Sequence, residues 1–460
     1  MNTPAGEAAA PAKTATTRWG RARSYIRSAL PWARMYRISS YLKSALWTVP
    51  LIAIALEFLL APGLRALDAW LRWRIGGLAP AGATALYQTV ITLTLSFLVF
   101  TFGSLLVAIQ VAGGQLTPRI IATILLRNNV VRYSVGLFVF ALVFAVQALN
   151  RQEASVDELV ALVTGILGVA CIVDFLFLID YAARLLRPVT VLAHVGNAGV
   201  AMIDSVYPDP ATALPPEAAA LHEQSGKPAR ELEHQGRSEI VLAVDIPTLV
   251  ALALRHDGLI EFLPLVGDFV AVGDPLFGLR GGATAIDDRA LRATVAFGPE
   301  RTLEQDPMFA FRIIVDIALK ALSPAINDPT TAVLALDQVH RLLRKVGGRK
   351  LRGEVILDVY GQPRVVFRTP NWEDFVQVAC CEIRACGANN LQVVRRLRAM
   401  LENLRQTLPE LRHPALEIEL ELLDWAIQAH FGRPEELAWA RVPDSQGLGG
   451  SQGHRIDTAD

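Results

Sequence analysis

Charge is scarce in this chain. Charged residues make up 19% of its 460 positions, below the roughly 25% of an ordinary soluble domain. The shortage is local: fourteen lie between Leu46 and Tyr181, whereas the 279 residues after Tyr181 hold sixty-five. This excludes a wholly soluble enzyme, and equally a disordered or fibrous chain. Neither sign dominates, since 44 Lys and Arg balance 44 Asp and Glu, which argues against nucleic acid as a partner. Cysteine is sparse too. Cys171, Cys380, Cys381 and Cys386 are too few for a disulfide framework. The last three lack a second ligand pair at zinc spacing and read as buried helical thiols. There is no Walker loop, dinucleotide fingerprint, nucleophile elbow or metalloprotease histidine pair. The sequence therefore predicts no metal, no cofactor and no enzymatic activity.

What is present is apolar length. A helix needs about 20 residues to cross a bilayer core, and four runs supply them: Ala45 to Leu64, Thr84 to Ala112, Val131 to Leu149 and Leu159 to Tyr181. Eight basic residues precede the first run (Lys13, Arg18, Arg21, Arg23, Arg27, Arg34, Arg37, Lys43). Arg119, Arg127 and Arg132 lie between the second and third. Arg65, Arg72, Arg74 and Arg151 fall on the other side. The basic excess predicts a multi-pass membrane protein with an N-in topology and both termini in the cytoplasm. No signal peptide is recognisable. Residues 1–44 form a basic arm in which Tyr25, Trp32, Tyr36 and Tyr41 interleave with Arg27, Arg34 and Arg37. Two readings stand for it, a helix lying at the headgroups or a disordered arm that only sets topology.

Polar residues inside the runs are the candidate functional groups. The second run is too long for the bilayer as a straight helix, so it must tilt or project into the cytoplasm. Thr89, Thr92, Ser96, Gly103 and Gln110 fall on one stripe at heptad spacing. Such a stripe either lets helices approach and hydrogen-bond or lines a wet path. In the fourth run Ala161, Thr164, Gly168, Cys171 and Asp174 share a face. Asp174 is open to an ion or proton role, or to a structural bond with Gln147 or a terminal arginine. Asp180 and Glu57 are expected among headgroups on opposite sides.

After a juxtamembrane segment and Pro/Ala-rich linker (182–238), a β-rich subdomain is expected over 239–300 and a helical subdomain with a β-hairpin over 301–432. Residues 433–460 read as a disordered tail. Glu239 to Val244 alternates like a strand, Ile246 to Arg255 reads as a helix and Gly258 to Leu263 as a strand. The run from Val266 to Phe277, with Gly267 and Gly273 at its turns, is similar to the β-sandwich of biotinyl and lipoyl carriers. It lacks their attachment lysine, since none lies between Lys227 and Lys320. Asp306-Pro307 and Asp328-Pro329 are N-cap and N1 pairs opening helices to Leu322 and Val346. The hairpin is expected over Glu354 to Arg368, and further helices from Trp372, Asn390 and Pro414. Asn327 and Asp328 at a helix start could hold an anion, but Asp328 carries its own charge, so capping is the better reading.

The segment Ser323-Pro324-Ala325-Ile326-Asn327-Asp328-Pro329, with Phe311-Arg312 and Asp316 to Leu322 before it, resembles the hallmark of a bacterial membrane-protein family, domain of unknown function 2254. Val107 to Ala112 followed by Gln115-Leu116-Thr117-Pro118-Arg119, and the Gly267 to Leu276 turn, are similar to that family as well. The resemblance implies a four-span inner-membrane protein with a cytosolic C-terminal region, and no established activity. The expected fold is thus membrane α-helical, with four transmembrane helices in 45–181 and a cytoplasmic α+β region. Two functions are open. One is an oligomeric channel or ion-translocating protein with a cytoplasmic assembly or gating domain, which requires a homo-oligomer because one four-helix bundle has little room for a pore. The other is a non-transporting scaffold or sensor in the lipid bilayer whose cytoplasmic region binds a protein partner.

Overall fold

The computed structural model describes residues 32, 35–36, 45, 47–71, 78–115, 129–152, 157–185, 187–211, 228–303, 305–351 and 355–450. The protein is mostly helical, with a sheet-containing region in its C-terminal half. Helices α1 (Thr48–Leu71), α2 (Pro80–Gln115), α3 (Asn129–Asn150) and α4 (Glu158–Leu185) pack together. Helix α3 is the central member and touches the other three. Close approach is set by glycine: a Cβ on Gly136 would stand 2.7 Å from Val49 Cγ1, and one on Gly168 2.8 Å from Val90 Cγ2. Small residues let helix backbones meet where no hydrophobic force from water drives them together.

By length and apolarity four helices are able to cross a membrane: Pro80–Gln110 within α2, Asn129–Asn150, Glu158–Arg184 within α4, and Pro188–Val206, which forms α5. The apolar part of α1, Thr48–Leu64, falls short of that length. Three of the expected runs coincide with such helices. The fourth, α5, lies in the segment expected to be juxtamembrane, and its packing explains its apolarity. Val191, Leu192, Val195 and Ile203 join the core of the C-terminal helical body. Cβ atoms on Gly196 and Gly199 would collide with Gln338 and with Ala310 and Leu342.

That body contains α8 (Pro307–Leu322), α9 (Pro329–Gly347), α10 (Trp372–Gly387), α11 (Leu391–Thr407), α12 (His413–His430) and α13 (Pro434–Ala440). The helix starts follow local chemistry. Asp306, Asp328 and Asn390 each accept a backbone N–H three residues on, and Asn371 forms a capping box with Asp374. Arg384 and Glu419 pair at 2.7 Å between α10 and α12, where burial raises the Glu419 pKa against the lowering effect of the guanidinium.

Between the bundle and this body in sequence lies a β region: β1 (Arg230–Glu233), β2 (Glu239–Val244), α6 (Ile246–Arg255), β3 (Gly258–Phe262), β4 (Phe269–Val270), β5 (Pro275–Gly281), α7 (Asp288–Arg292) and β6 (Val295–Gly298). A hairpin of β7 (Val355–Leu357) and β8 (Pro363–Phe367) completes a five-stranded sheet of order β1-β5-β3-β8-β7, beside a three-stranded sheet β4-β2-β6. The hairpin was expected to belong with the helices. Instead β8 pairs parallel to β3, Ile260 opposite Val365, so it belongs to the β region. Both sheets contribute to one core, with Val241 and Val295 from one and Ile260, Phe277 and Val365 from the other.

Two further expectations change. The expected disordered tail contains α13, after which Asp444 accepts the backbone N–H groups of Gln446, Gly447 and Gly449 while Arg395 binds the Val442 and Gly449 carbonyls. Residues 451–460 lie outside the described residues. In the basic arm, Trp32 and Tyr36 stack at 5.4 Å and pack against Leu242, Ala243 and Ala296 of the three-stranded sheet. These two rings lie on protein, as neither reading of the arm foresaw. Apart from these two and Met35, residues 1–44 lie outside the described residues.

Candidate functional site: polar pairs in the bundle and the family turn

Among the described residues, two interhelical hydrogen-bonded pairs in the bundle include a carboxyl group, and both have their other member on α3. Gln147 donates through Nε2 to Glu57 Oε2 on α1 at 2.6 Å. Ser134 donates through Oγ to Asp174 Oδ1 on α4 at 3.1 Å, and Asp174 Oδ2 is buried with no hydrogen-bond partner among the described residues. Glu57 is fully buried, which corrects its expected place among headgroups. Gln147 therefore serves Glu57 rather than Asp174. Asp180 is exposed and pairs with Arg184 one turn on. Near the same end as Ser134, Arg132 donates to Thr48 Oγ1 at 2.6 Å. The sequence reading named Glu57, Gln147 and Arg132 but not these pairings, and it did not single out Ser134. The signal available was a lone Glu and a lone Gln inside apolar runs.

The two pairs stand thirteen residues apart on α3, about 20 Å along its axis. Between them the interior is filled with fully buried apolar groups, Phe138, Ala141 and Ala145. Phe97 stacks on Phe175 at 4.1 Å and tilts against Phe138 at 5.8 Å. The polar groups are separate buried pairs with a packed layer between them.

The stripe on α2 points elsewhere. Thr89, Thr92, Ser96, Gly103 and Gln110 are all exposed on the outside of the bundle. Thr89, Thr92 and Ser96 return their hydroxyls to their own helix, donating to the carbonyls of Ala85, Gln88 and Thr92. A Cβ on Gly103 would meet nothing within 4 Å among the described residues. On α4, by contrast, Ala161, Thr164, Gly168 and Cys171 are buried and Asp174 partly so, facing the other helices.

The turn at 323–329 joins α8 to α9. Ser323 Oγ donates to the Lys320 carbonyl at 2.7 Å, and the Asp328 N–H reaches the Ala321 carbonyl at 2.8 Å. Asn327 sits at φ 49°, a left-handed conformation that asparagine tolerates better than most residues. Asp328 accepts from the Thr331 N–H at 3.0 Å and the Thr331 hydroxyl at 2.6 Å, and Pro329 takes the first helical position. Ser323, Pro324, Asn327, Asp328 and Pro329 thus act together as a helix stop and restart. The carboxylate of Asp328 fills the position an anion would take.

A family model, described as predicted membrane protein and domain of unknown function 2254, matches residues 43–403. The chain belongs to this family. It is 28% identical to uncharacterised proteins of Mycobacterium bovis and Mycobacterium tuberculosis, over 88% of this chain and 80% of each relative. No solved structure matches it.

Within this family member, the joint between the β region and the helical body is chemically distinctive. Asp306, only 5% exposed, caps α8 through the Phe309 N–H. Its second oxygen, Oδ2, is buried with no hydrogen-bond partner among the described residues, and a Cβ on Gly267 (φ 97°) would stand 2.6 Å from it. Burial pushes the Asp306 pKa up to about 6, and the nearby Asp268 charge adds to this. The Arg301 guanidinium and the Phe309 and Met308 N–H groups pull the other way. Among the described residues no group of three or more His, Cys, Asp or Glu could hold a metal.

Proposed function

We propose that this protein is a non-transporting membrane sensor or scaffold of the inner membrane. In this reading α1–α4 cross the bilayer, both termini are cytoplasmic, and the α+β region engages a protein partner. The single observation that carries it is the direct packing of membrane helices into the cytoplasmic body. Leu105 and Ile109 of α2 and Tyr181 of α4 lie against the same core as α8, α9 and α10. Helix α2, about 54 Å long as a 36-residue helix, is long enough to cross the bilayer and continue into that body. A tilt of α2 in response to bilayer thickness then bears on the core that α2 and α4 share with α8 and α9. The spanning role of α1 is supported by Trp47 and Trp70, exposed at its two ends and about 34 Å apart along the axis, where interfacial aromatic belts fall. No enzymatic step is part of this proposal.

The test is hydrogen exchange of the full-length protein in nanodiscs of short-chain and long-chain lipids, paired with ion flux in liposomes. A sensor shows exchange in α8 and α9 that changes with lipid length, in liposomes that stay tight. Exchange indifferent to the bilayer would remove the sensing role.

A second reading, an oligomeric channel, is favoured by one observation. The Thr89, Thr92, Ser96, Gly103 and Gln110 stripe faces outward, where only other copies of the chain could enclose it. Ion flux altered by Gly103→Leu would support that reading over the first.

A further inference from the structure

The three-stranded sheet β4-β2-β6 has two apolar faces. One enters the core shared with the five-stranded sheet, through Val241, Val270 and Val295. The other carries Ile240, Leu242, Ala243 and Ala296, and Trp32 and Tyr36 of the N-terminal arm pack against that cluster. The cover is incomplete. Ile240 stands directly opposite Phe269 of β4, and residues opposed across antiparallel strands put their side chains on one face. Phe269 is 65% exposed, and Val272, in the turn after β4, is 55% exposed. The bare patch therefore continues the covered one, a single strand spacing of about 4.8 Å away. The chain that leads into Trp32 suits it. Residues 18–31, outside the described residues, hold Trp19, Tyr25, Ile26 and Leu30 among four arginines and no acidic residue. The β region has the opposite sign, since residues 228–300 carry eleven acidic and six basic side chains. Glu239 and Asp268 are the chain neighbours of the Ile240–Phe269 pair. Six extended residues reach about 20 Å, several strand spacings, so Ile26 is within range of Phe269 from the seat of Trp32.

We propose that this outer face of the sheet is the docking surface for the chain's own N-terminal arm, with residues 25–30 seated on Phe269 and Val272. Three observations favour this occupant. The arm already sits on the adjoining half of the face, the connecting length is short, and basic arm meets acidic region. Apolar burial holds the segment there, and the opposite charges select it and set its orientation. The docked arm is a second tie between the β region and the bundle, because Tyr36 precedes the first residue of α1, Thr48, by only twelve positions. The inference does not depend on the sensing role.

The experiment is site-specific photocrosslinking of the full-length protein in phosphatidylcholine nanodiscs. A benzophenone amino acid replaces Ile26, and the crosslinked peptides are identified by mass spectrometry. The expected result is a crosslink to the peptide containing Phe269 and Val272, formed within one chain when light and heavy isotope-labelled chains are mixed. The same probe in place of Trp32 is the control, since that position already lies against Leu242 and Ala296. Phe269→Lys, at an exposed position, should lower the yield from the Ile26 probe at least fivefold while the Trp32 probe keeps its yield. A Trp32 probe that crosslinks while the Ile26 probe does not would overturn the proposal, as would an Ile26 yield indifferent to Phe269→Lys. Crosslinks to phospholipid would place the segment on the bilayer, and crosslinks between light and heavy chains would give the patch to a second copy. Either outcome would also overturn it.

Discussion

Gln147 and Glu57 form a hydrogen bond of 2.6 Å between α3 and α1, with the Glu57 side chain wholly removed from the exterior. A carboxyl group in such a place is tolerated only when a neighbour satisfies it. The pair therefore helps to specify how α1 sits against α3, together with the Arg132–Thr48 hydrogen bond and the packing of Val49 on Gly136.

Removing one partner should cost more than removing both. Gln147→Leu is expected to destabilise the bundle by about 0.6–2 kcal/mol, the span measured for interhelical hydrogen bonds in membranes. Glu57→Leu combined with Gln147→Leu should recover most of that loss. A double-mutant cycle read by unfolding in mixed micelles measures it. Additive single effects would show that the two side chains are not coupled.

Gly136 should resist enlargement. Gly136→Leu forces α1 away from α3, an overpacking cost of about 1–3 kcal/mol. Val49→Ala in the same chain should relieve part of it, because Val49 Cγ1 is the atom that would collide. Thermal unfolding of the single and double variants in detergent checks this.

The Asp306 carboxyl should give the C-terminal helical body a pH dependence. Its pKa is raised from 3.8 to about 6 in the folded chain, so between those values the folded state binds more protons than the unfolded one. Stability from this group accordingly falls as pH rises from about 4 to about 6, and the deficit is complete above that, at about 3 kcal/mol. Asp306→Asn keeps an oxygen for the Phe309 N–H and removes the charge. It should flatten the profile between pH 4 and 6 and match or exceed the wild type at pH 7. Hydrogen exchange in the first turn of α8 across this range is the readout. A variant whose profile remains as steep as the wild type would count against Asp306 as its source.

At the family turn, Asp328→Ala should cost about 1 kcal/mol, the value of an N-cap. Asn327→Gly should be neutral or slightly stabilising because φ is positive there. Thermal unfolding of the full-length protein tests both, and a large loss from Asn327→Gly would mean that the amide has a contact of its own.

Cysteine labelling should sort by burial. Cys386 is exposed, whereas Cys380 is buried and its pKa is held well above the ordinary range by desolvation. Maleimide on the native protein should modify Cys386 first and Cys380 only after denaturation, as read by peptide mass.

Much of the local structure was legible in the chain. The strand Glu239–Val244, the helix Ile246–Arg255 and the helices capped by Asp306, Asp328 and Asn371 lie where alternation and capping residues place them. The inward face of α4 was legible for the same reason, since period 3.6 puts Ala161, Thr164, Gly168, Cys171 and Asp174 on one side. Partners were not legible. A heptad stripe shows that Thr89 to Gln110 share a face, but not whether the face looks into the bundle or away from it. The pairing of β8 with β3 joins residues about a hundred positions apart and leaves no mark in either strand.

The sequence by itself determined the apolar helices, their caps and the turn at 323–329, because these depend on neighbours within a few residues. Only the tertiary structure decided that Glu57 meets Gln147, that Ser134 meets Asp174, and that α5 belongs to the helical body. The reason is physical. A buried polar group must find a partner of suitable shape and charge, and which one it finds depends on the approach of separate helices, set here by single glycines at Gly136 and Gly168.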